Sequence, residues 1–328
     1  MRRTSLLAAA SALSLALPPI EAVEAQAQAP AAAAHSEDSR LYAFLDAEFA
    51  EELRQRPQLA TQLGLKEGRD RLDDISETAA LRRLEWRRSS VARMKARFDR
   101  SKLSPTARTN YDIWALELER AELSYRFRQY TPAFYSFLYS AHSRLPDFLI
   151  NTHDVQDSAD MRAYAARVRA IPAVLDEGIA QSRDSASAGV RAPKFQVERV
   201  IAGSRAILKG APFEEGAPSP LWADAQAKVG KLRSAGKVTP AEAEALLEET
   251  RTALLSIKPA YERVVAWGQG ALPTAPSGRV GAISLPGGAD WYAAALKLNT
   301  TTNLTADRIH EIGLREVERI EDEQDSLA

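Results

Sequence analysis

Thr239-Pro240-Ala241-Glu242 is the stretch whose reading decides the fold. The threonine hydroxyl can take the N–H of the third helical residue. Proline suits the first turn, and Glu242 can reach back to the Thr239 N–H as a capping box. The helix so begun is expected to run toward Ile257, with Pro259 starting or kinking a further stretch through Val265. The same punctuation recurs upstream. Ser104-Pro105 opens a helix through Ile113, Trp114, Leu118 and Leu123 to about Phe127, and Ser76 caps one that reaches Phe98. In the latter, Leu81, Leu84, Val91 and Met94 are expected to face the core. Leu41, Phe44, Leu45, Phe49 and Leu53 recur at three- and four-residue steps, the spacing of one buried helix face. Pro57 starts a short helix that Gly64 and Gly68 end. The fold class these signals predict is all-α, a multi-helix array.

Further along, residues 161–182 read as helix that Pro172 kinks or splits in two. Residues 185–189 read as a small-residue turn, and 194–208 as another helix. The Pro/Gly-rich stretch 209–220 is a candidate sub-boundary or mobile connection. Residues 279–285, centred on Val280-Gly281-Ala282-Ile283, are the one strand-like segment. A short helix over 290–298 follows, and the β-branched run 299–304 resists helix. Thr305 caps a terminal helix in which Ile309, Ile312, Val317 and Ile320 are expected to form a buried stripe, with His310 on its flank.

With 328 residues and a formal net charge of −1, the chain can bury a sizeable core but has no cationic surplus for nucleic acid. At the N-terminus, Arg2-Arg3, an apolar run over 6–17 and the A-x-A pattern Ala25-Gln26-Ala27 resemble a secretory signal. The expected organisation is a signal peptide over 1–27, a flexible leader over 28–38 and a helical domain over 39–328. The mature protein is then periplasmic or secreted, without a transmembrane segment after cleavage. No cysteine is present, so neither a disulfide nor a lipid anchor through cysteine is available.

Chemistry is sparse. His310-Glu311 begins the H-E-x-x-H zinc pattern, in which two histidines four apart bind the metal and the glutamate activates water. The residue four beyond His310 is Leu314, which cannot ligate. His142 and His153 are eleven apart with no carboxylate at a suggestive spacing, and His35 falls in the leader. Tyr130, Phe134, Tyr135, Phe137 and Tyr139 place five of the eighteen Phe and Tyr within ten residues, a stretch that is core or groove. Serine-nucleophile and phosphate-loop motifs are absent. Taken alone, the residues do not assemble an active site.

Several blocks together carry a resemblance. They are Asp46-Ala47-Glu48-Phe49, Arg56-Pro57-Gln58-Leu59-Ala60-Thr61-Gln62-Leu63-Gly64, and the run YAARVRAIPAVLD over 164–176. The most specific are Leu285-Pro286-Gly287-Gly288-Ala289-Asp290-Trp291-Tyr292 and Thr300-Thr301-Thr302-Asn303-Leu304-Thr305, with Ile309-His310-Glu311-Ile312-Gly313-Leu314. The chain resembles the N-terminal part of the bacterial family DUF885. That resemblance implies an exported, mostly helical protein, with members usually near twice this length. It further implies kinship with gluzincin-like zinc metallopeptidases, whose H-E-x-x-P-G-H-type motif lies in a C-terminal half. By this reading the chain has no metal-binding or catalytic residues of its own. It binds no cofactor, zinc being expected only in full-length relatives, and is inactive alone. Trp291, Tyr292 and His310 are its candidates for a substrate cleft acting on peptides or amides. The expected partners are a complementary C-terminal half or a second copy. A helical periplasmic binding module using the aromatic 130s as a groove, or a truncated reading frame, are the alternatives.

Overall fold

The helix caps set the architecture. In the computed structural model, which describes residues 36–138 and 140–327, Thr239 N donates to Glu242 Oε2 at 2.8 Å and Glu242 N donates to Thr239 Oγ1 at 3.2 Å. Ser36, Ser76, Ser104 and Ser219 likewise accept a first-turn N–H through their hydroxyls. The expected export signal, most of the leader with His35, and Tyr139 lie outside the described residues.

Eleven α-helices occur among the described residues: α1 Glu37–Gln55, α2 Pro57–Gln62, α3 Glu77–Arg97, α4 Pro105–Arg126, α5 Ala141–Asn151, α6 Ser158–Ser187, α7 Lys194–Ile207, α8 Pro220–Ser234, α9 Pro240–Ala271, α10 Gly288–Thr300 and α11 Ala306–Leu327. The all-α expectation holds. The longest helices, α6 and α9, pack most extensively on each other, and α7 and α8 also lie against α9. Their facing residues, among them Tyr164, Val168, Ile171, Leu175, Leu254, Ile257, Tyr261 and Val264, form the main core. A smaller core joins α1, α3 and α4 through Leu41, Phe44, Met94, Phe98 and Tyr111.

Several expectations need correction. Residues 279–285 are not strand: Ser284 N donates to Gly281 O, and Leu285 N to Ala282 O, closing a 3₁₀ turn over Ala282–Ser284. Val280 and Ile283 favour extended backbone, but no neighbouring strand among the described residues offers a ladder, so local turn bonds take over. Neither Pro172 nor Pro259 divides its helix. Val168, Ile171 and Leu175 are fully buried around Pro172, and that burial offsets the roughly 3 kcal/mol cost of an interior proline. The expected turn at 185–189 starts later, because α6 continues to Ser187 and reverses at Gly189.

Three expected buried faces also differ. Phe49 and Leu81 are exposed. In α1 it is Glu48 that turns inward, its carboxylate taking a hydrogen bond from Arg93 Nη2 at 2.5 Å. The expected buried stripe of α11 is not buried: Val317 and Ile320 are exposed, Ile309 and Ile312 half-covered. The loop over 209–220 is held by Ala211 N donating to Ala217 O and Ser219 N to Ala211 O, while Phe213 enters the main core.

Candidate functional site

One cleft lies between the C-terminal parts of α6 and α9, residues 190–197 and the 130s loop. It has a volume of about 690 Å³. Phe134 and the half-buried Trp267 form its aromatic floor, with ring centroids 5.1 Å apart. Ile179, Val190 and Val197 add aliphatic walls, and Arg183, Arg191, Arg263 and Asp176 supply its charges. Arg263 and Asp176 make a two-pronged pair, both bonds 2.7 Å. Arg183 and Arg191 are exposed and enter no ion pair among the described residues. The cleft therefore combines an apolar, aromatic base with surplus positive charge at its edge. Such a surface suits an anionic group on an apolar body.

Gly178 makes this floor possible. A Cβ there would stand 2.9 Å from the Ala133 Cβ and 3.1 Å from the Phe134 ring, so only glycine lets the 130s loop lie this close to α6.

The residues singled out in the sequence fall around the cleft unevenly. Trp291 stacks on Tyr130, with ring centroids 5.4 Å apart and planes 14° from parallel. The Tyr130 hydroxyl donates to the Pro286 carbonyl at 2.5 Å. Gly287, at φ 63°, leaves room for it, since a Cβ there would lie 2.8 Å from that hydroxyl. These contacts pin the 280s segment to the aromatic 130s. Val280, Ser284 and Leu285 then wall a smaller hollow of about 200 Å³, which shares Arg191 and Thr274 with the main cleft. Tyr292 is 44% exposed, and His310 is exposed on α11. The structure thus brings Trp291 beside the aromatic 130s and leaves His310 on the exposed surface of α11. Sequence reasoning missed Arg183, Arg191 and Trp267. The aromatic density of the 130s was the one signal pointing toward this region.

The other two described histidines are structural. His153 Nε2 contacts the Asp160 carbonyl at 3.1 Å and must donate there, so its Nδ1 accepts from Arg167 Nη1 at 2.9 Å. Burial, reinforced by the Arg167 charge, pushes its pKa down to about 4. His142 is likewise buried and pushed down to about 4 by burial. Arg167 itself has no exposure and donates to the carbonyls of Arg71, Pro57 and Gly68 and to the Thr61 hydroxyl. Beside it, Arg69 pairs with Asp160 at 2.6 Å. Burial pushes the Asp160 carboxyl up, but its bonds from Arg69, the Gln156 N–H and Lys66 outweigh that and hold it below its ordinary value. The cluster clamps the segment after α2 onto α6.

Among the described residues no three His, Asp or Glu side chains gather as a metal site requires. No described helix is long and apolar enough to cross a membrane.

This is a helical-array protein with an aromatic-floored cleft between the C-terminal parts of its two longest helices. Residues 57–328 match the family described as "Bacterial protein of unknown function (DUF885)", and the chain belongs to that family. Its fold is similar to the crystal structure of a candidate lipoprotein from Colwellia psychrerythraea. The TM-score is 0.71 at 18% identity, over 87% of this chain and 50% of that one. The likeness at that identity shows the fold, and the chain spans about half the length of the structure it matches. Among curated proteins there is no match.

Proposed function

We propose that this chain is the substrate-recognising helical half of an exported, periplasmic or secreted hydrolase of peptide or amide bonds. Its cleft would hold an apolar residue next to a free carboxylate. One observation carries the reading: the aromatic floor of Phe134 and Trp267 meets the uncommitted guanidinium groups of Arg183 and Arg191 within one cleft. An apolar side chain fits the floor, and a carboxylate fits the arginine edge. The metal-bearing chemistry is assigned to the half that relatives carry beyond this length. Trp291 and Tyr292 belong to this proposal as the outer wall, joined to the cleft through Pro286 and Gly189, where a Cβ at Gly189 would lie 3.0 Å from the proline ring.

The test is a fluorescence titration of the purified chain with N-acetyl-phenylalanyl-leucine and its C-terminal amide. Saturable quenching by the acid, with affinity at least about tenfold weaker for the amide or for Arg191→Ala, supports the reading, since tenfold corresponds to one charge-assisted hydrogen bond. Equal binding of acid and amide, or none, rejects it. A second reading, a binding module without catalysis, draws on the cleft already having an aromatic floor and an arginine edge from this chain's own residues. Both readings expect purified protein without stoichiometric zinc and without hydrolysis of these peptides. One tightly held zinc per chain with chelator-sensitive hydrolysis would overturn that expectation.

A further inference from the structure

We propose a second ligand site, independent of the cleft reading, in the cavity of about 670 Å³ between α1, α3, α4 and residues 73–75. Its ligand is a small carboxylate with an N–H next to the carboxyl group, as in an amino acid or an N-acylated one.

Three buried polar atoms without a partner belong to residues that line this one cavity: Arg87 Nη1, Trp86 Nε1 and Gln55 Oε1. A buried polar group without a hydrogen bond is costly, so such atoms are scarce and rarely gather in one place. The guanidinium is also held rigidly. Arg87 is 7% exposed, and its Cζ lies 4.7 Å from the Trp86 ring centroid and 4.3 Å from that of Trp114. Its Nη2 is fixed to Glu52 Oε2 at 2.6 Å. Trp114 is satisfied, its Nε1 donating to Ser90 Oγ at 2.9 Å. The indole beside it is not. Gln55 donates through Nε2 to Glu51 Oε1 at 3.2 Å, which leaves its oxygen as an acceptor.

The chemistry of the three atoms selects the ligand. Arg87 Nη1 and Trp86 Nε1 only donate, so they need an acceptor, and a charged oxygen suits the guanidinium best. Gln55 Oε1 accepts, so it needs a donor on the same small molecule. Five arginines against four carboxylates line the cavity. Two of those carboxylates, Asp73 and Asp74, are already engaged by the backbone N–H groups of Gln58 and Ser76. Arg56 and Arg87 pair in turn with Glu52, Arg120 with Glu117 and Arg128 with Glu77. It is therefore the one-charge surplus of the lining, together with the unpartnered Arg87 Nη1, that favours an anion over a cation.

The experiment follows the Trp86 indole N–H signal of the full chain by ¹H–¹⁵N NMR during titration with N-acetylglycine, glycine and N-acetylglycinamide. Saturable movement of that signal with N-acetylglycine or glycine is expected, the two arms showing whether the amino group is acylated. Affinity should fall at least about tenfold for the neutral amide. Gln55→Leu should weaken binding severalfold. Arg87→Lys should abolish it. Should Arg87→Lys fail to fold, Trp86→Phe keeps an aromatic face under the guanidinium while removing the indole N–H; with it, movement of the Arg87 side-chain N–H signals should need severalfold more probe. Arg191→Ala should change nothing, which separates this site from the cleft. No saturable movement, equal response to acid and amide, or full binding in both Gln55→Leu and Trp86→Phe would overturn the proposal.

Discussion

Arg167 shows how much of this protein rests on one side chain. It is a fully buried cation whose bonds run to three backbone carbonyls, a hydroxyl and a neutral imidazole, none of them to a carboxylate. Burial pushes its pKa down to about 10, so it stays charged at neutral pH. Arg167→Met would leave those acceptors buried without donors, and a loss of about 3–5 kcal/mol in urea unfolding is expected. A loss below about 1 kcal/mol would mean that the segment after α2 is held some other way. His153 and His142 carry the pH dependence. Both have folded pKa values near 4, below the unfolded value of 6.5, so the unfolded chain binds more protons between those limits. The stability they contribute is present in full above pH 6.5 and declines as pH falls toward 4. Each contributes a slope of up to about 1.4 kcal/mol per pH unit. Urea midpoints measured from pH 7 to pH 5 should fall, and His142→Phe should flatten that fall by about half. A midpoint unchanged across the range would contradict the burial of both rings as neutral groups.

Among the elements, α6 is where sequence and structure part most usefully. Its start was legible only as an apolar pattern, yet Asp157 caps it through a bond from Asp160 N at 2.9 Å. Proline reads locally as a helix breaker, but α6 lies against α9 along its length, and that burial cannot be seen in the residues near Pro172. Caps such as Thr239 with Glu242 were readable because both partners sit within four residues. The cleft was not. Its walls come from three separated segments, and Arg183 and Arg191 look like any surface arginine until α9 brings Trp267 beside them. Gly178 gives this element its own test. Gly178→Ala would press a methyl group against Ala133 and Phe134, and overpacking of this kind costs about 1–3 kcal/mol. A Tm lower by a few degrees is expected, together with weaker binding of N-acetyl-phenylalanyl-leucine as the 130s loop moves off α6. Unchanged binding in a destabilised Gly178→Ala protein would remove Phe134 from the recognition surface.

Across the whole molecule, the unequal burial of the two ends matters most. The core from α5 to α9 is closed, whereas α11 has no buried residue. Leu314, Val317 and Ile320 follow one another at three-residue steps and are 59%, 53% and 44% exposed. They make one apolar face on a helix that also carries the acidic run Glu321, Asp322 and Glu323. An amphipathic helix of this kind is stabilised chiefly by burying its apolar face against something else. About half of the related structure's chain lies outside the part matched here, and we propose a complementary half as the cover of this face. In a preparation of this chain alone, the same face is left to meet a second copy. Sedimentation velocity over a rising concentration series should therefore show reversible self-association. Replacing Leu314, Val317 and Ile320 together with Lys, Glu and Lys should abolish it while leaving the helical circular dichroism of the α5–α9 core in place. A wild-type chain that stays monomeric at high micromolar concentration would show that α11 tolerates its exposed face. Association that persists in the triple variant would move the contact to another surface, and with it the place where a complementary half could dock.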